Sequence, residues 1–301
     1  SLQELLPSPA TTWPSHLCRS YFHHRQRRFE GDAGEVVTWG AFAALKDAGD
    51  ARLGGDSSSV TGRVAAGVTS ITGSRVAFAA LKDAGTWGAA RRGGDSSAVV
   101  DRLGAGVTSI VCTDAAFAAL KDAGEVVIWG LDGLGGDCSG AVADRLSAGV
   151  TSITANLGAF AALKGAGEVV TWGAAGGGGD SSGVADLLAS GVVSVKGTAY
   201  AFAALTDAGE VVSAHSGGDS NSVQHRFAAG VLSITGNSYA FAALTDAGEM
   251  VTWGSAVGDS SAVADRLAAG VTSVTGNAGS FAALKEAGEV VTWGSAGGDM
   301  G

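Results

Sequence analysis

The chain is poor in proline, in cysteine and in basic charge, and each shortage excludes a class of protein. Proline occurs 3 times in 301 residues, never after Pro14, while glycine occurs 49 times. A collagen-like register is therefore excluded, because it needs proline and a glycine at every third position. Three cysteines are too few, and odd in number, for a disulfide framework. They favour a reducing, intracellular compartment, the cytoplasm or the nucleus.

Charge and hydropathy exclude further classes. The 19 basic side chains are outnumbered by 29 acidic ones, so the net charge is −10 and a nucleic-acid interface over most of the surface is excluded. No stretch approaches eighteen uninterrupted apolar residues, so no membrane-spanning helix is predicted. Hydrophobic residues make up 46% and charged residues 16% of the chain, which indicates a folded protein rather than a disordered one.

An internal repeat of about forty residues organises most of the chain. The string Phe-Ala-Ala-Leu occurs seven times, at intervals of 36 to 43 residues. Its first residues are Phe42, Phe78, Phe117, Phe160, Phe202, Phe241 and Phe281. A tryptophan follows a β-branched run in most copies, at Trp39, Trp87, Trp129, Trp172, Trp253 and Trp293. Residues 34–301 are therefore predicted to form one repeat domain, and residues 1–33, which contain every proline, a disordered N-terminal segment.

Each repeat is predicted to contribute three antiparallel strands. In the last copy these are Val271–Thr275, Phe281–Lys285 and Glu289–Trp293, because all are short, apolar or β-branched and bounded by glycines. The turn over residues 285–288 ends in the glycine that closes the hairpin. The segment 259–270 favours a short helix, and an outer fourth strand is the alternative.

The positions of small and large residues predict how the repeats pack. One repeat cannot cover its own apolar strands, so neighbouring repeats must stack. Alanines then occupy the narrow places, while the tryptophans fill the wider gaps between neighbours. The repeat tryptophans, together with Phe78, Phe117, Phe160, Phe202, Phe241 and Phe281, are therefore interpreted as structural positions.

The combined motif Val-x-x-Ile/Val-x-Gly followed by Ala-Leu-x-x-x-Gly-x-Val-x-x-Trp-Gly resembles the repeat of the regulator of chromosome condensation family. This resemblance implies a mainly β fold, a β-propeller with three to four antiparallel strands per blade. The count predicts seven blades with an abridged first one, because Gly40 leads directly into Ala41 and Phe42. Six blades preceded by an extra hairpin are the alternative.

Candidate catalytic and metal-binding motifs are better explained by the repeat itself. Gly179–Gly183 matches the Gly-x-Ser-x-Gly elbow of hydrolases, but the same slot recurs in other copies without the second glycine. The aspartates of the Gly-Asp slot are predicted to cap turns. The arginines that precede an apolar leucine are predicted to form local ion pairs with a nearby aspartate; they are Arg102, Arg145, Arg226 and Arg266.

The sequence therefore predicts a non-catalytic scaffold that binds a protein partner, with no catalytic residue, cofactor or metal. Repeat arrays bind partners over surfaces assembled from many loops. Family analogy gives an alternative, a regulatory or substrate-recruiting propeller of a guanine-nucleotide exchange factor or a ubiquitin-ligase chain.

Overall fold

Short apolar runs separated by glycine-containing turns form the strands of this chain. The computed structural model describes residues 36–39, 42–45, 68–75, 77–81, 85–88, 90–138, 140–214 and 218–295. Residues 1–33, predicted to be disordered, lie outside them. Six three-stranded antiparallel sheets follow a two-stranded hairpin within the described residues. The fold is therefore mainly β and bladed, as the sequence predicts.

The strands follow one another in chain order within each sheet. The hairpin consists of β1 (Val36–Trp39) and β2 (Phe42–Leu45). The blades are, in order, β3 (Ser70–Gly73), β4 (Ala77–Leu81) and β5 (Gly85–Gly88); β6 (Val107–Cys112), β7 (Ala116–Lys121) and β8 (Val126–Gly130); β9 (Val150–Ala155), β10 (Ala159–Lys164) and β11 (Val169–Gly173); β12 (Val192–Gly197), β13 (Phe202–Thr206) and β14 (Val211–Ala214); β15 (Val231–Gly236), β16 (Ala240–Thr245) and β17 (Met250–Gly254); and β18 (Val271–Gly276), β19 (Ser280–Lys285) and β20 (Val290–Gly294). We number them blades 1 to 6.

Short helices connect the blades. The α-helices are α1 (Val100–Leu103), α2 (Ala141–Arg145) and α3 (Ala264–Leu267). The 3-10 helices are Ala90–Arg92, Ser97–Val99, Asp132–Leu134, Ala175–Gly177, Ser182–Leu188, Gln224–Ala229, Ala256–Gly258 and Ser261–Val263. The segment 259–270 is thus helical rather than a fourth strand. Leu267 is fully buried, which anchors this connector on the core.

The N-terminal hairpin explains the blade count. Trp39 pairs with Phe42 and Val36 with Leu45. This is the register in which Trp172 pairs with Phe160 inside blade 3, although the chain there turns at the opposite end of the strands. The alternative of six blades plus an extra hairpin therefore describes the observed arrangement, and the abridged first repeat forms no blade of its own.

Apolar faces of successive blades pack directly against each other. Between blades 5 and 6, Leu244 and Met250 from one sheet meet Phe281 and Trp293 from the next. Both faces of an inner blade are covered in this way, which is why its strands lack polar alternation. The inner strands β3, β6, β9, β12, β15 and β18 are neighbours in that order, the arrangement of a propeller.

Two rows of backbone hydrogen bonds join the blades. On the face that carries the loops between first and second strands, each N–H donates to a carbonyl of the next blade. The pairs are Asp114 to Leu157, Leu157 to Ala199, Ala199 to Ser238 and Ser238 to Ala278, at 2.9–3.2 Å. On the opposite face, Val150, Val192, Val231 and Val271 donate to Gly124, Gly167, Gly209 and Gly248 in the preceding blade. Main-chain bonds thus hold the blades together at both ends.

Blade 6 presents one uncovered face. Leu284 is 43% and Val290 is 56% exposed, whereas their counterparts Leu244 and Met250 in blade 5 are 7% and 1% exposed. Within the described residues, no further blade packs on this face as blade 6 packs on blade 5. None of the described helices is long and apolar enough to cross a membrane.

Candidate functional site

The aromatic positions singled out in the sequence lie between blades. Trp129, Trp172, Trp253 and Trp293 are buried, and each stacks on the phenylalanine opposite it at 5.0–5.4 Å between ring centroids. Those partners are Phe117, Phe160, Phe241 and Phe281. Phe78 and Phe202 are buried too. The side chains of Trp39 and Trp87 lie outside the described residues, although both positions pair within their sheets.

Each indole also ties its blade to the preceding connector. The Nε1 atoms of Trp129, Trp172 and Trp253 donate to the carbonyls of Gly93, Gly135 and Gly218, at 3.0, 3.2 and 3.0 Å. Trp293 Nε1 is buried and has no partner within the described residues. The connector that it faces is shorter. Six positions separate Trp253 from Asp259, where eight separate Trp172 from Asp180.

The aspartates of the Gly-Asp slot cap turns. Asp95, Asp180, Asp219 and Asp259 accept the backbone N–H two residues ahead at 2.8–2.9 Å. The backbone N–H of Ser97 lowers the pKa of the Asp95 carboxyl below its ordinary value. Among the described residues, no group of three or more His, Cys, Asp or Glu side chains is placed to hold a metal.

The Gly-x-Ser-x-Gly match has a structural explanation. The Oγ of Ser181 accepts a 2.9 Å hydrogen bond from Thr171 Oγ1. A 3-10 helix begins at the next residue, whereas a hydrolase elbow places its serine between a strand and a helix with a histidine nearby. Ser181 therefore joins a connector to the third strand of its blade.

The repeat arginines form ion pairs, but the predicted partner was wrong. Arg102 donates to Glu125 at 2.7 Å, and the same contact recurs for Arg145 with Glu168, Arg226 with Glu249 and Arg266 with Glu289. The partner lies 23 residues ahead, at the start of the third strand, rather than at the neighbouring aspartate. The fold of the hairpin brings that glutamate back to the connector.

Exposed apolar side chains concentrate on blades 4 and 5, and the sequence reasoning missed them. Tyr200 and Tyr239 are 49% and 48% exposed, and their ring centroids lie 6.4 Å apart. They follow β12 and β15 in the slot that holds Gly158 in blade 3. A comparison of repeats slot by slot would have found this departure, since both tyrosines break the small-residue pattern.

A second exposed group lies at the other end of the same inner strands. Val193 and Leu232 are exposed in a slot where Thr108 and Thr151 bond back to a carbonyl of the second strand. Leu187, also exposed, stands where blade 3 carries Arg145. Both ends of blades 4 and 5 therefore depart from the rest of the array by exposing apolar surface.

Six antiparallel blades whose inner strands are successive neighbours define a repeat protein of the β-propeller type. No family model matches the sequence, and no curated protein sequence matches it. Solved structures of similar shape include the ectodomain of the Physcomitrella patens receptor kinase CR4, at 18% identity and a TM-score of 0.45. Alignment with it covers 76% of this chain and 61% of that one, so this chain spans less than two thirds of the ectodomain.

Two further structures are similar to a comparable degree. Human WBSCR16 is 16% identical with a TM-score of 0.47, over 76% of each chain. Yeast RCC1 (Prp20), solved with Kap60, is 14% identical with a TM-score of 0.47, over 91% of this chain and 85% of that one. The last belongs to the repeat type that the sequence motif resembles. The propeller assignment made above depends on the topology of the blades themselves.

Proposed function

We infer that this protein is a non-catalytic scaffold that binds a protein partner through the loop face of blades 4 and 5. The observation that carries this proposal is the contact between Tyr200 and Tyr239 on adjacent blades. Tyrosine is enriched at protein interfaces because its ring buries a large area while its hydroxyl stays paired. Two half-exposed rings in contact offer a partner an aromatic anchor of the kind that dominates binding energy.

The surroundings of the pair support an interaction surface. The neighbouring residues Ala199 and Ser238 belong to the row of backbone bonds between blades, so the tyrosines project from a fixed base. A rigid base reduces the conformational entropy that binding must remove. The cysteine content leads us to propose an intracellular location for this scaffold.

The test compares two double variants in capture from a cell extract. Tyr200→Ala with Tyr239→Ala removes the aromatic pair and introduces the small residue of other repeats. Val193→Thr with Leu232→Thr, the matched control, removes two exposed apolar side chains at the opposite end and restores the threonine of other repeats. We expect the first variant to lose a specific partner at least tenfold and the control to keep it. The captured protein is then purified and titrated against both variants.

Two results would contradict this proposal. One is a partner that both variants bind with unchanged affinity, which would place the interface elsewhere. The other is a partner lost only by the threonine control, which would assign the interface to the opposite face. Circular dichroism and thermal unfolding of both variants establish that the fold is intact before binding is compared.

A further inference from the structure

One inter-blade gap lacks its tryptophan. In blade 4, Phe202 pairs with Ala214, where blades 3 and 5 pair Phe160 with Trp172 and Phe241 with Trp253. Phe202 is 9% exposed, and within the described residues no aromatic ring stacks on it. Its counterparts Phe160 and Phe241 are fully covered by their indoles.

A cleft is present at this gap, between blades 3 and 4. It holds about 360 Å³ up to its open mouth, of which about 30 Å³ is enclosed deeply enough to surround a water molecule. Its walls include Val184, Leu188, Val195 and the ring of Phe202. The same residues, with Val169 and Ala204, form the apolar cluster of this interface. A bound ring would therefore lie mostly in the open part of the cleft, against apolar walls.

An acceptor for a ring N–H lies at the cleft. Gly178 stands two positions before Asp180, as Gly135 stands two positions before Asp137. Gly135 accepts the hydrogen bond of Trp172, whereas no donor of the described residues bonds to the carbonyl of Gly178. Gly178 lines the cleft, and its Cα lies so close to Phe202 that an added Cβ would be 2.9 Å from the ring. Ring and acceptor thus stand side by side, as they do in blade 3.

We propose that this cleft binds an indole-type ligand, a neutral planar heteroaromatic ring that carries an N–H donor. The ligand would stack on Phe202 and donate to the Gly178 carbonyl, in the place that the repeat gives to a tryptophan side chain. The described lining contains no charged residue, which favours a neutral ligand. Apolar walls with one or two fixed polar groups are typical of small-molecule sites.

The first test titrates indole itself into the intact chain and follows the methyl resonances of Val184 and Leu188 by NMR. We expect saturable shifts with a dissociation constant of about 1 mM or tighter, as suits a ligand of this size. Nuclear Overhauser effects from indole protons to Leu188 and Phe202 would locate the ring without any substitution. The absence of saturable shifts, or Overhauser effects only to residues outside the cleft, would overturn the proposal.

Two matched comparisons test the details. The variant Ala214→Trp supplies the missing indole from within the chain, so we expect it to weaken indole binding at least tenfold. An unchanged affinity in this variant would contradict the assigned site. The probe 1-methylindole keeps the ring but lacks the N–H, so we expect it to bind several times more weakly. Equal binding of both probes would overturn the assigned class of ligand.

A final comparison distinguishes two sources of the same ring. N-acetyl-tryptophanamide presents an indole on a peptide-like backbone. Binding of this compound as tight as that of indole would identify the site as a receptor for a tryptophan side chain of a peptide. Binding of indole alone would identify a small-molecule site. Both results support indole recognition, and the loss of both would contradict it. The tyrosine variants of the interaction surface should bind indole normally, so the two proposals fail independently.

Discussion

Thr171 Oγ1 lies 2.9 Å from Ser181 Oγ, and the hydrogen bond between them joins the third strand of blade 3 to its connector. The same distance recurs in the pairs Thr86–Ser96, Ser213–Ser220 and Thr252–Ser260. Blade 2 replaces both partners at once, by Ile128 and Cys138, which pack on the apolar cluster instead. Burial raises the pKa of the Cys138 thiol, as does the nearby carboxylate of Asp137, so the group stays protonated and acts as a small apolar side chain.

This exchange predicts non-additive effects in blade 3. Thr171→Ile alone removes the partner of a partly buried hydroxyl and should cost about 1–3 kcal/mol of unfolding free energy. Adding Ser181→Cys should recover about 1 kcal/mol or more of that loss, because both groups are then apolar as in blade 2. Urea unfolding of the two single variants and the double variant measures the coupling. Strictly additive losses would show that the two positions do not interact.

The tryptophans predict a second comparison. Trp172→Ala removes a buried, stacked indole and should destabilise the fold by about 3–5 kcal/mol. A loss below about 0.5 kcal/mol would mean that the indole is not buried. Trp172→Phe keeps a ring but leaves the Gly135 carbonyl without its donor, so it should cost more than Trp293→Phe, which removes an indole N–H that has no partner within the described residues. Urea unfolding of the four proteins tests this order, and a larger loss for Trp293→Phe would contradict it.

The turn glycines provide a matched pair. Gly167 and Gly288 both have φ near +80°, so alanine at either position should cost about 1–2 kcal/mol for the left-handed backbone. A Cβ at Gly167 would also lie 2.4 Å from the backbone N of Gly191 in blade 4, whereas a Cβ at Gly288 meets nothing within 4 Å. We therefore expect Gly167→Ala to be more destabilising by about 1–3 kcal/mol, the usual cost of overpacking. Thermal unfolding of both variants tests this, and equal losses would contradict the tight contact between blades 3 and 4.

The ion pair of Arg102 with Glu125 predicts a dependence on pH. The guanidinium holds the pKa of the Glu125 carboxyl below its ordinary value. A lowered folded-state pKa means that the pair stabilises the fold at neutral pH and that this contribution disappears as the pH falls through that pKa. Both side chains are partly exposed, so Arg102→Met should cost only about 0.2–1 kcal/mol near neutral pH.

The control for this prediction is Glu125→Gln, in which the carboxyl cannot titrate. In that background, Arg102→Met should have a smaller effect that does not change with pH. Unfolding free energies measured in urea at neutral and acidic pH give both quantities. A cost of Arg102→Met that persists undiminished at acidic pH would show that the arginine acts through packing rather than through its charge.

Much of the fold could be predicted because each repeat carries its own pattern. The predicted strands of the last copy match β18, β19 and β20 to within a residue at most ends, since glycines and β-branched runs mark their limits. The pairing of Phe with Trp follows from the same pattern, and even the N-terminal hairpin keeps that register.

What the sequence did not predict depends on contacts between distant positions. Glu125 reaches Arg102 only because the hairpin folds back, and no local spacing indicates this. The contact between Tyr200 and Tyr239 depends on how adjacent blades are placed, as does the cleft beside Phe202. Both sites occur where one repeat differs from its siblings, so departures from the average repeat were more informative about function than the average itself.

The row of main-chain bonds that links Asp114, Leu157, Ala199, Ser238 and Ala278 makes few demands on side-chain identity, and five different environments already occupy it. Evolution can therefore alter the exposed residues along this rim without loosening the assembly. The same freedom makes the rim a suitable place to randomise codons when new binding specificities are sought.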